Sequence, residues 1–408
     1  MVSALIAEIS RDSHGRLISV LAAPTGDIPA AEDAIADALE QALRRWPVDG
    51  VPDNPRAWIL TVARNRLRDR WKSHPYSKCA SLDETHGDTE QFDEQVSDIP
   101  DRRLELMLVC AHPAIAADIR TPLMLQTVLG VDAAAIAEAF AMPKAAMAQR
   151  LVRAKRRIRD ARIPFVLPQR SDLTQRLPAV LEAVYGAYAI DWQRTLAGAP
   201  IDALAAEALR LALVLAELLP SDPEVLGLAA MVCLSQARRS ARRTSAGSFI
   251  SLDAQDVGLW DRELIARGEG LLQRAHALGC PGRYQYEAAI QSMHCHAADG
   301  LIDWTTLRKL HRAVYRLAPS LGVLVALALI EGEIEGPEAG LRALDAITDP
   351  SVTRFQPAWT TRAHLLGRAN RSEAAAAAYQ RAIELTTDRG IRAFLQDAAA
   401  RRSRSVNS

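Results

Sequence analysis

The chain is 408 residues long, and its 49 Lys and Arg balance 49 Asp and Glu to a formal net charge of zero. That balance excludes a global field for attracting polyanions, so a nucleic-acid partner has to be met by local clusters of charge. Hydrophobic residues make up 49% of the chain and aromatics 5%, an Ala- and Leu-rich mixture that predicts an all-α protein with enough apolar material for more than one core.

The opening stretch, MVSALIAEISRDSHGR, lacks the basic start and long apolar run of a signal peptide. No span approaches the ~20 apolar residues that a transmembrane helix needs. Cys79, Cys110, Cys233, Cys280 and Cys295 form no CxxC pair and fit a reducing compartment. The expectation is a cytoplasmic protein without a membrane partner.

The first helix expected from the pattern is AEDAIADALEQALRRW, residues 31 to 46. Asp33, Asp37 and Glu40 fall on one side, and Ile35, Leu39 and Leu43 on the apolar one. The loop PVDGVPDNPRAW brings Asp53 and Asn54, and Asn54-Pro55 starts a second helix. There Leu60, Ala63, Leu67 and Trp71 make a stripe for burial, while Arg64, Arg68 and Lys72 repeat every four residues on another face. Asn65 adds an amide able to bond a base edge. Residues 73 to 100 contain seven acids, one Lys and two prolines with no helical apolar stripe, the composition of a solvated linker.

Residues 131 to 159, VDAAAIAEAFAMPKAAMAQRLVRAKRRIR, spell helix, turn and strongly basic helix. Asp132 is placed to cap the first helix, whose apolar stripe is Ile136, Ala139 and Phe140. Pro143 suits the first turn of the second, where a missing N–H costs nothing. Met147, Leu151, Ala154 and Ile158 recur at spacings of four, three and four for burial; Lys144, Gln149, Arg150, Arg153, Arg156 and Arg157 occupy the other faces. Nine Lys or Arg and one acid lie between Met142 and Arg170. Such a face attracts phosphates, and its N-terminal turns are placed to reach base edges in a major groove.

Pro164 and Pro168 then mark a joint at IPFVLPQRSD, 163 to 172. Beyond it, Trp359, Ala363, Leu366, Ala375, Tyr379 and Ala382 follow the bulky, small, bulky, small, aromatic, small order of a 34-residue helix pair. Segments 303 to 319 and 322 to 347 are expected to be further pairs. No P-loop, GxGxxG or GxSxG is present, so the expectation is a non-enzyme with no catalytic residue and no cofactor. His294-Cys295-His296 and Cys110-x-His112 are the only metal-like groupings, and neighbours on a helix point apart; no metal site is expected. Gln255, Asp256, Trp260, Asp261 and Arg262 read as a polar network or helix cap.

The order of parts, an acidic-apolar helix, a polar loop, a basic helix, an acidic linker and a helix-turn-helix, resembles the extracytoplasmic-function sigma factors, small sigma-70 subunits of bacterial RNA polymerase. The resemblance implies residues 1–73 as region 2, 74–100 as a flexible linker, 101–165 as region 4 and 166–408 as a C-terminal extension. It implies Asp33, Asp37, Leu39 and Leu43 on the polymerase core, and Asp53 and Asn54 in the loop that captures a flipped −10 base. Arg64, Asn65 and Arg68 would follow the melted −10 strand; Lys144, Gln149, Arg150, Arg153 and Arg157 would read the −35 element. Ala36 stands where the family commonly has Gln, and Lys144-Ala145-Ala146 where Glu-Ala-Thr or Glu-Gly-Thr is frequent. The long extension is similar to a subgroup with a tetratricopeptide-like solenoid. The implied partners are RNA polymerase core, promoter DNA and a regulatory protein on the extension. The same residues also fit a helix-turn-helix regulator with a tetratricopeptide-like sensor domain, or a scaffold whose basic helices are incidental.

Overall fold

A computed structural model describes residues 2–72, 102–168, 170–196, 203–244, 247–296 and 302–406. The expected linker, 74–100, lies outside the described residues. Among those that are described the architecture is all-α, with no strand beyond an isolated bridge between Arg243 and Phe249. The chain divides into two compact units, Met1–Ala187 and Tyr188–Ser408.

The first unit opens with a helix that the sequence pattern did not single out, α1 (Val2–Ala22), followed by α2 (Ile28–Asp49) and α3 (Pro55–Lys72). Asp27 caps α2, its Oδ1 accepting from Ala30 N at 3.0 Å, and Gly50 with φ +88° ends it. The three helices pack mutually. The buried stripe of α2 is Ala31, Ala34, Ile35, Ala38, Ala42 and Trp46. Leu39 is half-buried and Leu43 is 46% exposed, so the expected apolar side is rotated toward the small residues. Alanines let α1 and α3 approach closely, which larger leucines on that line would prevent. On α3, Leu60, Ala63 and Leu67 are buried as the spacing predicts, but Trp71 is 38% exposed in the final turn. Trp46 and Trp58 meet edge to face, centroids 5.4 Å apart, and fix α2 against α3.

Then come α4 (Arg103–Cys110), α5 (Ala117–Thr127), α6 (Ala133–Ala139), α7 (Lys144–Asp160) and α8 (Arg170–Leu196), whose residues from Tyr188 on belong to the second unit. Their core is Leu106, Met107, Leu123, Met124, Ile136, Met147, Leu151 and Ile158, each 1% exposed or less. Arg176 of α8 donates to the carbonyl of Leu108 at 3.1 Å, satisfying an end-of-helix acceptor of α4.

In the second unit, helices pack chiefly on their chain neighbours: α9 (Ala203–Leu218), α10 (Pro223–Gln236), α11 (Arg262–Ala277), α12 (Arg283–His296), α13 (Trp304–Leu317), α14 (Leu321–Glu335), α15 (Pro337–Asp345), α16 (Gln356–Arg368), α17 (Ser372–Leu385) and α18 (Arg389–Val406). The helix pair expected near the end is α16 and α17. Ala363, Leu366, Ala375, Tyr379 and Ala382 are buried in one cluster, with Trp359 against it. Segment 303 to 319 is the single helix α13, and 322 to 347 holds the pair α14 and α15. Gly336, at φ +94°, makes the turn between those two. Gly340 lets them touch, since a Cβ there would meet Ala328 O at 2.7 Å and Gly332 Cα at 2.9 Å.

Candidate nucleic-acid interface

Asp132 caps α6 through both carboxylate oxygens, accepting from Ala134 N at 2.8 Å and Ala135 N at 3.2 Å. Ile136 and Ala137 turn inward. Ala139 is exposed and Phe140 39% exposed, so only the first member of the expected stripe is core. The chain reverses at Ala141, whose φ of +50° is left-handed, and Met142 N donates to Ala137 O at 2.8 Å. Pro143 is the residue before α7 and not within its first turn; its carbonyl accepts from Met147 N at 3.1 Å. It thus starts the helix from the cap position, where φ near −65° is equally acceptable.

Met147, Leu151, Ala154 and Ile158 are buried as their spacing predicts. Lys144, Gln149, Arg153, Arg156 and Arg157 are exposed, and the four cations have no acidic partner among the described residues. Arg150 differs: it is ion-paired with Asp118 of α5 and donates to Met142 Sδ at 3.6 Å. Arg159 lies 3.1 Å from Asp160 and 3.7 Å from Asp27. The open cationic surface of α7 is therefore narrower than its composition suggests.

On the three-helix bundle, Asp53 is exposed, whereas Asn54 spends its side chain on its own helix: Oδ1 accepts from Ala57 N at 3.0 Å, capping α3. Arg64 is half-buried, and Asn65 and Arg68 are exposed on the same helix. Asp33 lies 3.0 Å from Arg70 and Asp37 3.7 Å from Arg66, all more than half exposed. Such pairs are weak and exchange readily with a competing partner. Leu43 and Val48, 46% and 83% exposed, add an apolar patch near the end of α2.

Sequence reasoning missed how this bundle meets the helix-turn-helix. Lys155 of α7 is buried, and its Nζ donates to Glu32 Oε1 of α2 at 2.5 Å. The signal was present: Lys155 falls four residues after Leu151 and three before Ile158, on the buried stripe. Beside this pair, burial and then Lys155 hold His14 below the ordinary imidazole range, and burial pushes the Cys110 thiol up to about 12. At Gly15 of α1 an added Cβ would lie 2.0 Å from Val128 O, just past α5. Removing one partner of a buried ion pair costs about 3–5 kcal/mol, because the survivor is left uncompensated in low dielectric.

In the second unit, Cys295 is buried with Sγ 3.6 Å from Leu234 O, and His296 points outward, 3.9 Å from Glu269. Among the described residues no three His, Cys, Asp or Glu could hold a metal ion. Asp261 caps α11, accepting from Leu264 N at 2.9 Å, while Trp260 is buried with Leu234, Ala241 and Cys295. The Gln255–Arg262 segment thus anchors a loop to the domain core.

Residues 10–75, which take in α2 and α3, match sigma-70 region 2, and residues 176–276 match a domain family of unknown function, DUF6596. The N-terminal helices therefore carry the module of a sigma-70 transcription initiation factor, a module that supports contact with RNA polymerase core and promoter DNA. The chain is 32% identical over 378 residues to an uncharacterized protein of Rhizobium meliloti (strain 1021), covering 91% of this chain and 89% of the relative. It belongs to the family of that protein. No solved structure matches. Among the described residues no helix is long and apolar enough to cross a membrane.

Proposed function

We propose that this protein is a sigma factor of the extracytoplasmic-function type, directing bacterial RNA polymerase to particular promoters, with a C-terminal tetratricopeptide-like domain that regulates it. The observation that carries this reading is a sigma-70 region 2 followed, in one chain, by a helix-turn-helix whose second helix turns Lys144, Gln149, Arg153, Arg156 and Arg157 to solvent. In this mechanism Asp33, Asp37, Leu39 and Leu43 of α2 dock on the polymerase core. The acids exchange Arg66 and Arg70 for cations of the partner, and Leu43 buries apolar surface already exposed. Asp53 and the Asn54 loop receive a −10 base turned out of the stack, Arg64 and Arg68 hold the separated strand by charge, and Asn65 offers its amide to a base edge. Lys144, Arg153 and Arg157 grip phosphates of the −35 duplex, and Gln149 supplies an amide to a base edge. Arg150 joins them after releasing Asp118.

Catalysis belongs to the polymerase; the protein contributes positioning and strand capture. In the second unit, chain-neighbour packing and the α16–α17 core support a repeat stack that offers a surface to a regulatory protein. The test is run-off transcription with bacterial core polymerase, with and without the full-length protein, on promoter fragments of its own genome. Protein-dependent transcripts are the expected result. Their absence together with tight binding of the protein alone to duplex DNA would favour a conventional helix-turn-helix regulator.

A further inference from the structure

In the second unit, the short run after α10 carries four arginines, 238, 239, 242 and 243. Arg243 shows how this fold treats a guanidinium it encloses: Asp388, itself buried, meets it at 2.9 Å. Arg238 is more deeply placed, at 5% exposed, yet no carboxylate pairs with it among the described residues. It donates to the neutral amide oxygen of Gln291 at 2.6 Å and lies 6.0 Å from the centre of the Trp260 ring, while its Nε has no hydrogen-bond partner. A guanidinium taken out of water without a counter-charge or a full set of acceptors destabilises the fold that holds it.

The surroundings of Arg238 add donors and positive charge. Arg242, four residues on, donates to the Ser235 carbonyl and to Ser235 Oγ at 2.8 Å, and the Tyr188 hydroxyl hydrogen-bonds the same Oγ. His294 stands three residues after Gln291 on α12. Burial holds both guanidiniums below their ordinary range, Arg242 at about 10, and burial followed by Arg238, His311 and Arg242 brings His294 to about 3. At neutral pH that imidazole is uncharged and keeps one N–H to give. Tyr188, Arg242, Gln291 and His294 are half-buried, so the cluster reaches solvent, with Arg238 and Ser235 as its enclosed members.

We propose that Arg238 and Arg242, with Tyr188, Ser235, Gln291 and His294 around them, form a binding site for a phosphate, either free or as a small monoester. The site lies within the second unit and does not depend on the sigma-factor reading. Two guanidiniums match the charge of a phosphate, and the Arg238 Nε supplies a donor that the protein itself leaves unused. The groups come from α8, from the end of α10 and from α12, so they face a ligand from several sides. A tetrahedral oxyanion offers oxygens in all those directions, whereas a planar carboxylate is filled by one guanidinium fork. Occupancy ties the three segments together, and a ligand that binds only the folded protein stabilises it by mass action.

The test is calorimetric titration and thermal melting of the full-length protein at fixed ionic strength, with chloride as the balancing anion. Inorganic phosphate is expected to bind saturably and raise the thermal midpoint, and acetate to bind at least about tenfold more weakly. Tighter binding of glycerol 3-phosphate than of inorganic phosphate assigns the site to monoesters, and the reverse order assigns it to free phosphate. Gln291→Glu supplies Arg238 with a carboxylate from within; it should raise the midpoint of the phosphate-free protein and weaken phosphate binding at least about tenfold. Arg238→Met should weaken phosphate to a similar degree without lowering the phosphate-free midpoint, because an uncompensated charge leaves the interior. If Arg238→Met does not fold, Gln291→Glu alone decides. A wild-type protein without saturable phosphate binding, or variants that bind phosphate as the wild type does, would overturn the site and leave Arg238 a structural donor to Gln291.

Discussion

The second unit and the outer face of α7 in the first handle charge in opposite ways. In the second unit arginines pair with acids of neighbouring segments: Arg308 with Glu331 and Glu335 at 3.0 and 3.2 Å, Arg312 with Glu331 at 2.8 Å, Arg371 with Glu338 at 2.8 Å, and Arg243 with Asp388 at 2.9 Å. In the first unit, α7 turns Lys144, Arg153, Arg156 and Arg157 to water with no acid opposite them among the described residues. Charge that a fold leaves uncompensated does nothing for its stability. It is therefore the better marker of a polyanion partner than the number of arginines, which both units have in plenty.

The contrast breaks first, and most visibly, if the open cations of α7 are removed. Replacing Lys144, Arg153 and Arg157 together by Ala should weaken promoter-complex formation at least ~30-fold and flatten the salt dependence by about 0.9 per lost phosphate contact, with the thermal midpoint unchanged. A titration at several salt concentrations measures both, and an unchanged slope would show that these cations do not meet phosphates.

Acidification sharpens the comparison from the other side, because the second unit also holds a half-buried histidine among cations. Burial, followed by Arg238, His311 and Arg242, lowers His294 to about 3. With the folded value below the unfolded one of about 6.5, the neutral form is favoured by folding. Its contribution is complete above pH ~6.5 and is lost as pH falls toward 3; at pH 5 the deficit is roughly 2 kcal/mol. Urea unfolding at pH 7 and pH 5 should show that drop, and His294→Gln should flatten it. A variant with the full wild-type pH dependence would assign the effect elsewhere.

The smallest effect is expected from the paired arginines of the second unit. Arg312 is 59% exposed beside Glu331. Its replacement by Ala should cost at most about 1 kcal/mol, since solvent screens the pair and ordering two long side chains opposes it. A larger loss by denaturant titration would mean that these pairs act as a network.

Much of this was legible in the chain. The cap at Asp132, the buried stripe of α7, the Asn54-Pro55 helix start and the α16–α17 pair follow from local spacing and turn chemistry, which act within a few residues. What spacing could not supply was the destination of individual charges. Arg150 looks identical to Arg153 in sequence, yet Asp118, 32 residues earlier, claims it. The register of Lys155 puts it on the apolar stripe, but nothing local names its partner, which lies 123 residues away. The apolar side of α2 was misjudged for a related reason. Leucine marks burial only when the helix has no row of alanines against which neighbours can pack more closely.

The turn at Ala141 has a consequence of its own. Its left-handed backbone, φ +50°, is carried by a residue with a Cβ, at a cost on the order of 1 kcal/mol that a glycine would not incur. The angle between α6 and α7 is therefore imposed on the turn by what surrounds it, above all the packing of both helices on α5 and of α7 on α2. Cut out as a fragment, the two helices would lose the force that bends them. The shape that α6 and α7 present to solvent is thus a property of the N-terminal unit around them, and mutations deep in its interior can re-aim side chains they never touch.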